Sequence, residues 1–153
     1  MKEISNPMPP EFMEQANAAL TNARKESLKE LFELGRMSVR QPAGEWVHGK
    51  ELVPGVYTAP HYFMGDIPKK IMDLLYELGL IISFRWMEWD ESSDLLRDDD
   101  ATKLEGQPTH ILIGLLTALA RNDRFCDGAW GAAIERGTVA KLLDELEKRL
   151  NEE

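Results

Sequence analysis

The chain has 153 residues, 43% of them apolar, and a net charge of −9. That length is typical of one domain and needs neither a disulfide nor a structural metal to bury a core, while the acidic charge argues against binding to nucleic acid. With one cysteine, Cys126, and no long apolar segment, the chain is expected to be a soluble cytoplasmic protein without a membrane partner.

The N-terminal segment is rich in proline and then becomes helical in character. A single helix is predicted from Glu11 to Leu34, with Gly35 as its C-terminal stop. Because the first half of this helix is only weakly apolar, it could be a mobile arm or a partner-binding helix as readily as a core helix, and residues 1–36 are interpreted as an N-terminal helical extension. Residues 37–153 are then expected to form a single α+β domain.

Glycine and proline punctuate the next segment, up to residue 60. Short strands are predicted at Glu45–His48 and Val56–Thr58. A helix follows, starting at Asp66 as its N-cap and ending at Gly79. In Ile81–Trp86, apolar residues alternate with polar ones, which predicts a half-buried strand.

The last third of the chain is dominated by leucine-rich helical patterns. After an acidic stretch, helices are predicted at Thr109–Arg121, at Gly128–Arg136 and from Thr138 to the C-terminal region, with Asp127 capping the second of them. Together these elements predict a helix-rich α+β domain. A small sheet containing Ile81–Trp86 is expected to pack against the helices.

Three pieces of the sequence resemble one family. They are the aromatic segment Phe84–Trp89 with its WxxW spacing, the block Arg121–Gly128 with the letters RNDRFCDG, and Glu135–Gly137 before an apolar helix. On these pieces, residues 62–150 resemble the prokaryotic family named domain of unknown function 6508. The resemblance implies an α+β domain of prokaryotic origin, and it supplies no catalytic residues because the family has no established activity.

The block after residue 120 is the sharpest candidate site. Arg121, Asp123 and Arg124 lie where one predicted helix ends and the next begins, and two guanidinium groups there could clamp a phosphate or a carboxylate. Trp86 and Trp130 could add aromatic walls for a planar anionic ligand. The alternative is architectural, because cations also suit a helix C-terminus and Arg–Asp bonds can hold two helices together.

Other chemistry-bearing residues form weaker patterns. The acidic cluster Asp90–Asp100 could hold a divalent metal, but it lacks the spacing and glycine of an EF-hand, and a solvated loop is the preferred interpretation. The three histidines show no metal-ligand spacing, and Cys126 is expected to be a small buried residue rather than a nucleophile. We expect no catalytic residue, no metal and no cofactor.

Three hypotheses about function follow. The favoured one is a non-catalytic protein-interaction or accessory module of a prokaryote or its mobile elements, since no enzyme motif occurs. The second is a binder of a small anionic ligand or nucleotide that uses Arg121 and Arg124. The third is a metal-dependent hydrolase built on the Asp90–Asp100 cluster.

Overall fold

The computed structural model describes residues 8–96 and 101–152, which form a helix-rich α+β fold, as the sequence predicts. Within them lie the helices α1 (Pro10–Asn22), α2 (Lys25–Ser38), α3 (Asp66–Glu77), α4 (Glu91–Leu96), α5 (Thr109–Asn122), α6 (Ala129–Glu135) and α7 (Thr138–Asn151). The strands are β1 (Gly44–Val47), β2 (Glu51–Val53), β3 (Val56–Tyr57) and β4 (His61–Met64). Short 3-10 helices occur at Trp86–Glu88 and Ala101–Leu104.

Helix α5 lies at the centre of the core. Every residue of Leu112–Ala118 is buried, which is typical of a helix surrounded by other elements. Helices α1, α6 and α7 pack around it, and α2 packs against α3 and α7. Within the described ranges, no helix combines the length and apolar character that crossing a membrane would require.

The N-terminal region contains two helices, so the prediction of one helix from Glu11 to Leu34 was wrong. Extended backbone at Ala23 and Arg24 separates α1 from α2 and redirects the chain. This break allows apolar residues of both helices, such as Phe12 and Leu31, to reach the same core. The proposed division of the chain at residue 36 stays a prediction.

Residues 44–64, which we call the hairpin arm, form two antiparallel strand pairs in succession. β1 pairs with β4, placing Trp46 opposite Tyr62, and β2 pairs with β3 further out. The outer pair turns at Pro54–Gly55, where Gly55 has a φ of 85°, a conformation that glycine adopts without strain. The two predicted strands of this region are thus confirmed, as β1 and β3.

The predicted strand Ile81–Trp86 was wrong. The segment is extended, but it lies against α5, and the amide of Ile82 donates a hydrogen bond to Oγ1 of Thr117 at 3.1 Å. The alternation of apolar and polar residues in this segment does match their burial, since Ile82 and Phe84 are half-buried while Ser83 and Arg85 are exposed. An alternating pattern reports an extended chain with one buried side, and that side is covered here by a helix.

Candidate functional site

A small cleft opens beside the C-terminal end of α5, and we call it the arginine cleft. Its volume is about 170 Å³. The residues lining it come from the extended segment before the first 3-10 helix, from that 3-10 helix itself, and from the last turn of α5 and the residues after it: Ser83, Phe84, Trp86, Met87, Arg121, Arg124 and Phe125. The hydrogen bond from Ile82 to Thr117 holds the first of these segments along α5.

Two arginines supply the charge of the cleft. Arg121 is half-buried in the last turn of α5, and its guanidinium carbon lies 5.7 Å from the centre of the Tyr76 ring, within cation–π distance. Arg124 is exposed. Among the described residues, no carboxylate forms an ion pair with either guanidinium. Both side chains therefore keep donors available for a ligand.

Aromatic side chains form one wall of the cleft. The rings of Trp86 and Phe125 lie 6.1 Å apart at an interplanar angle of 48°, and Phe125 is 70% exposed. Phe84, behind them, packs on Phe12 and Trp89 in the core. The wall is thus supported from within by the helical core while presenting apolar surface to solvent.

Two of the five predicted site residues lie elsewhere. The side chain of Trp130 is fully buried, and its indole Nε1 donates to the carbonyl of Pro68 at 3.0 Å. Asp123 accepts a hydrogen bond from the backbone amide of Trp130 at 3.0 Å and so caps the start of α6. The cleft brings together Arg121, Arg124 and Trp86, and a ligand-binding role for any of the five stays a prediction.

The predicted helix cap at Asp127 was wrong. Gly128, with a φ of 84°, precedes α6, and Asp123 supplies the capping carboxylate from further back. Asp127 instead accepts a hydrogen bond from the amide of Tyr62 at 2.8 Å. The turn between α5 and α6 therefore holds both α6 and strand β4, because its two carboxylates point to different partners.

Tyr62, in strand β4 of the hairpin arm, packs against α6. Its hydroxyl is buried and has no hydrogen-bond partner within the described part of the chain. Burial raises the pKa of this hydroxyl above its ordinary value, and the carboxylates of Glu135 and Asp123 raise it further. The ring therefore acts as a neutral, packed group.

The hairpin arm is a second candidate site, and the sequence did not single it out. Large apolar side chains of the arm are half or more exposed: Trp46 (54%), Leu52 (66%), Val53 (56%), Val56 (50%), Tyr57 (62%) and Phe63 (62%). All residues from 51 to 60 are exposed. The sequence contained one indication of this exposure. Leu52-Val53 and Val56-Tyr57 are adjacent apolar pairs, and because neighbouring strand residues point to opposite faces, they cannot all be buried against one core.

The weaker candidates do not line the arginine cleft, although His48 and His61 belong to the hairpin arm. The part of the acidic cluster at Asp98–Asp100 lies outside the described residues, and within the described ranges no three potential metal ligands come together. The histidines do not line the arginine cleft, and burial lowers the pKa of His110. Cys126 is exposed, so the expectation that it is buried was wrong.

The comparisons with known proteins place the chain in a family. No curated protein and no solved structure matches it. The sequence pattern of one family, described as a family of unknown function, matches residues 23–152. This match confirms the resemblance seen over residues 62–150 and extends it through α2 and the hairpin arm. The chain belongs to the family of unknown function DUF6508.

Proposed function

We propose that the chain is a non-catalytic interaction module that binds a protein partner through the hairpin arm. One observation carries the proposal: the arm exposes six large apolar side chains, while no residue between 44 and 64 is buried. Single exposed apolar residues are common on protein surfaces, but a concentration of them in one projecting element is typical of an interface.

The chemistry of the exposed side chains also supports a protein partner. Trp46, Tyr57 and Phe63 are aromatic, and tryptophan and tyrosine are enriched among the residues that dominate binding energy at interfaces. Each described strand of the arm pairs with only one neighbouring strand, and although Asp127 engages the outer edge of β4 through the Tyr62 amide, the outer pair β2–β3 joins no further described strand. A free edge can pair with an extended segment of another protein through backbone hydrogen bonds.

The first experiment identifies what touches the arm. A photo-crosslinking amino acid replaces Tyr57 in the full chain, and a second chain carries it at Glu33, an exposed residue of α2. Illumination in the native host is expected to give a discrete covalent adduct from position 57 and none from position 33. Mass spectrometry then identifies the crosslinked protein.

The second experiment measures binding of the purified partner to the double variant Leu52→Ser/Tyr57→Ser. Because both side chains are exposed, each substitution should change the free energy of unfolding by less than about 0.5 kcal/mol. Loss of two interface anchors should weaken binding by about 30-fold or more. Val39, which is 54% exposed and lies outside the arm, supplies the matched control Val39→Ser.

The outcomes separate clearly. Weaker binding by the double variant, with unchanged melting temperature and normal binding by Val39→Ser, supports the proposal. An adduct with a second copy of the chain identifies the partner as the chain itself, and size-exclusion chromatography then replaces the binding assay. Equal binding by the double variant and the unmodified chain contradicts the proposal.

A further inference from the structure

We propose that the arginine cleft binds the carboxylate of an acidic peptide segment, with a neighbouring apolar side chain of that segment against the aromatic wall. This inference rests on the proposed function, because it takes the partner to be a protein. Where it contacts the cleft, the partner must carry a carboxylate and an apolar group close together in sequence.

The charge pattern of the molecule is the first support. Acidic residues outnumber basic ones by 27 to 18, so a cation has many carboxylates available to it. Several described basic side chains do form ion pairs, including Arg36 with Glu147 and Lys141 with Glu145. Arg121 and Arg124 line one cleft and have no such partner among the described residues. They form a local positive site on an acidic protein, and such a site attracts an anion.

The donors of the cleft favour a carboxylate over a phosphate. Phosphate sites commonly use several free backbone amides at a helix start. Helix α6, whose Trp130 amide is taken by Asp123, does not line the cleft, and the side-chain donors of the lining are the two guanidiniums, the hydroxyl of Ser83 and the indole N–H of Trp86. A guanidinium fork binds the oxygens of a carboxylate or a phosphate in one plane, and because the described lining contains no α-helix start, we expect the carboxylate to be preferred.

The size of the cleft favours a single side chain over a free metabolite. Its volume of about 170 Å³ is below the roughly 300–1,000 Å³ that is usual for pockets holding drug-sized ligands. A glutamate or aspartate side chain fits such a space. The exposed face of Phe125 and the half-buried Trp86 then offer apolar contact beside it.

The position of the cleft agrees with a partner that also touches the hairpin arm. Arg124 and Phe125 lie in the turn between α5 and α6, and Gly128 ends it. Gly128 lies against the rings of Trp46 and Tyr62, so tightly that a β-carbon there would be 2.9 Å from Trp46. One short turn therefore joins the cleft to the base of the arm, and one partner can span both.

The test uses synthetic peptides and the full isotope-labelled chain, followed by NMR. The probes are acetyl-Phe-Glu-amide, the neutral acetyl-Phe-Gln-amide and inorganic phosphate. The glutamate peptide is expected to shift the guanidinium Nε–H signals of Arg121 and Arg124 and the indole N–H signal of Trp86. The glutamine peptide should bind at least about tenfold more weakly, since a charge-assisted hydrogen bond is lost.

The main variant for this titration is Arg124→Gln, because this exposed side chain makes no described contact that the fold requires. It should weaken binding of the glutamate peptide at least about tenfold. The matched control is Arg136→Gln, another exposed arginine that does not line the cleft. Arg121→Lys, which keeps the cation at the helix end but loses the planar fork, should also weaken binding.

Several results would overturn the inference. They are equal binding of the two peptides, phosphate binding as tightly as the glutamate peptide, equal effects of Arg124→Gln and Arg136→Gln, or no saturable shift up to about 10 mM peptide. Repeating the titration on Leu52→Ser/Tyr57→Ser separates the two proposals. Peptide binding to the cleft should persist there, whatever the arm itself binds.

Discussion

The ring of Tyr62 lies directly over Gly131 of α6, so closely that a β-carbon on Gly131 would overlap the Tyr62 hydroxyl. The same hypothetical atom would lie 2.7 Å from Cε1 of the ring. Glycine at this position therefore lets the hairpin arm dock on the helix, although glycine inside a helix has a low helix propensity.

Helix propensity alone predicts that Gly131→Ala raises the free energy of unfolding, whereas we expect this substitution to lower it. Alanine should stabilise an ordinary helical position by about 1 kcal/mol, but here the clash with Tyr62 should lower the free energy of unfolding by about 1–3 kcal/mol. Thermal and urea unfolding followed by circular dichroism measure the change. An increase in stability would show that Tyr62 does not pack on Gly131.

The substitution Asp127→Ala should release the arm without loosening the core. The amide of Tyr62 loses its 2.8 Å hydrogen bond, while Asp123 continues to cap α6. The expected cost is about 0.5–1.5 kcal/mol, and amide hydrogen exchange should accelerate in β1 and β4 but not in α5. Faster exchange throughout α5 would contradict this separation.

The substitution Asp123→Ala should act on α6 instead. It leaves the amide of Trp130 without its carboxylate partner, and loss of a helix cap typically lowers stability by about 0.5–2 kcal/mol. Asp123→Asn keeps a side-chain oxygen and should cost less. If the asparagine and alanine variants melt at the same temperature, the capping role is wrong.

Buried Glu145 predicts a pH dependence. Its side chain pairs with Lys141 and Lys148, each at 3.2 Å, and with Arg149 at 3.3 Å. Burial alone would raise the pKa of this carboxyl, but the hydrogen bonds and charges of Lys141 and Lys148 outweigh it and lower the pKa. A lowered folded-state pKa gives stability above the unfolded-state pKa, and this stability is lost as the pH falls through the folded-state value.

The substitution Glu145→Gln should therefore destabilise the chain by about 1–3 kcal/mol near neutral pH and by progressively less below about pH 4. Urea unfolding at a series of pH values measures the difference. The matched control is Glu147→Gln on the same helix, which breaks a more exposed pair with Arg36 and should cost less than about 1 kcal/mol. A stability difference independent of pH would refute the role of the Glu145 charge.

Local sequence patterns predicted the helices well, because those patterns depend on near neighbours. The spacing of leucines in α5 and α7 and the positive-φ Gly79 after α3 are readable within one segment. The segment Ile81–Trp86 was misread because strand pairing requires a second segment, and only the folded chain shows that α5 covers it. The break at Ala23 and Arg24 likewise depends on where the core lies.

The arginine cleft was predicted only in part, because the sequence shows directly only which residues are close together along the chain. Arg121 and Arg124 are close in sequence, so one turn places both beside the end of α5. Trp86 reaches them only through tertiary packing, while Trp130 turns inward to the carbonyl of Pro68. Asp123 takes the capping role that was predicted for Asp127, while Asp127 bonds the arm, because their partners lie on α6 and β4 respectively.

The chain enters and leaves the hairpin arm at almost one point, since the amide of Gly65 donates to the carbonyl of Ala43 at 2.7 Å. The helices on either side are therefore already connected in space without the residues in between. Excision of the arm and closure by a short turn should leave a folded all-helical remnant, because exposed projections tolerate deletion and insertion. If that remnant folds, the helices and the arm are separable units, and a different insertion between Ala43 and Gly65 could replace the arm without redesign of the helical core.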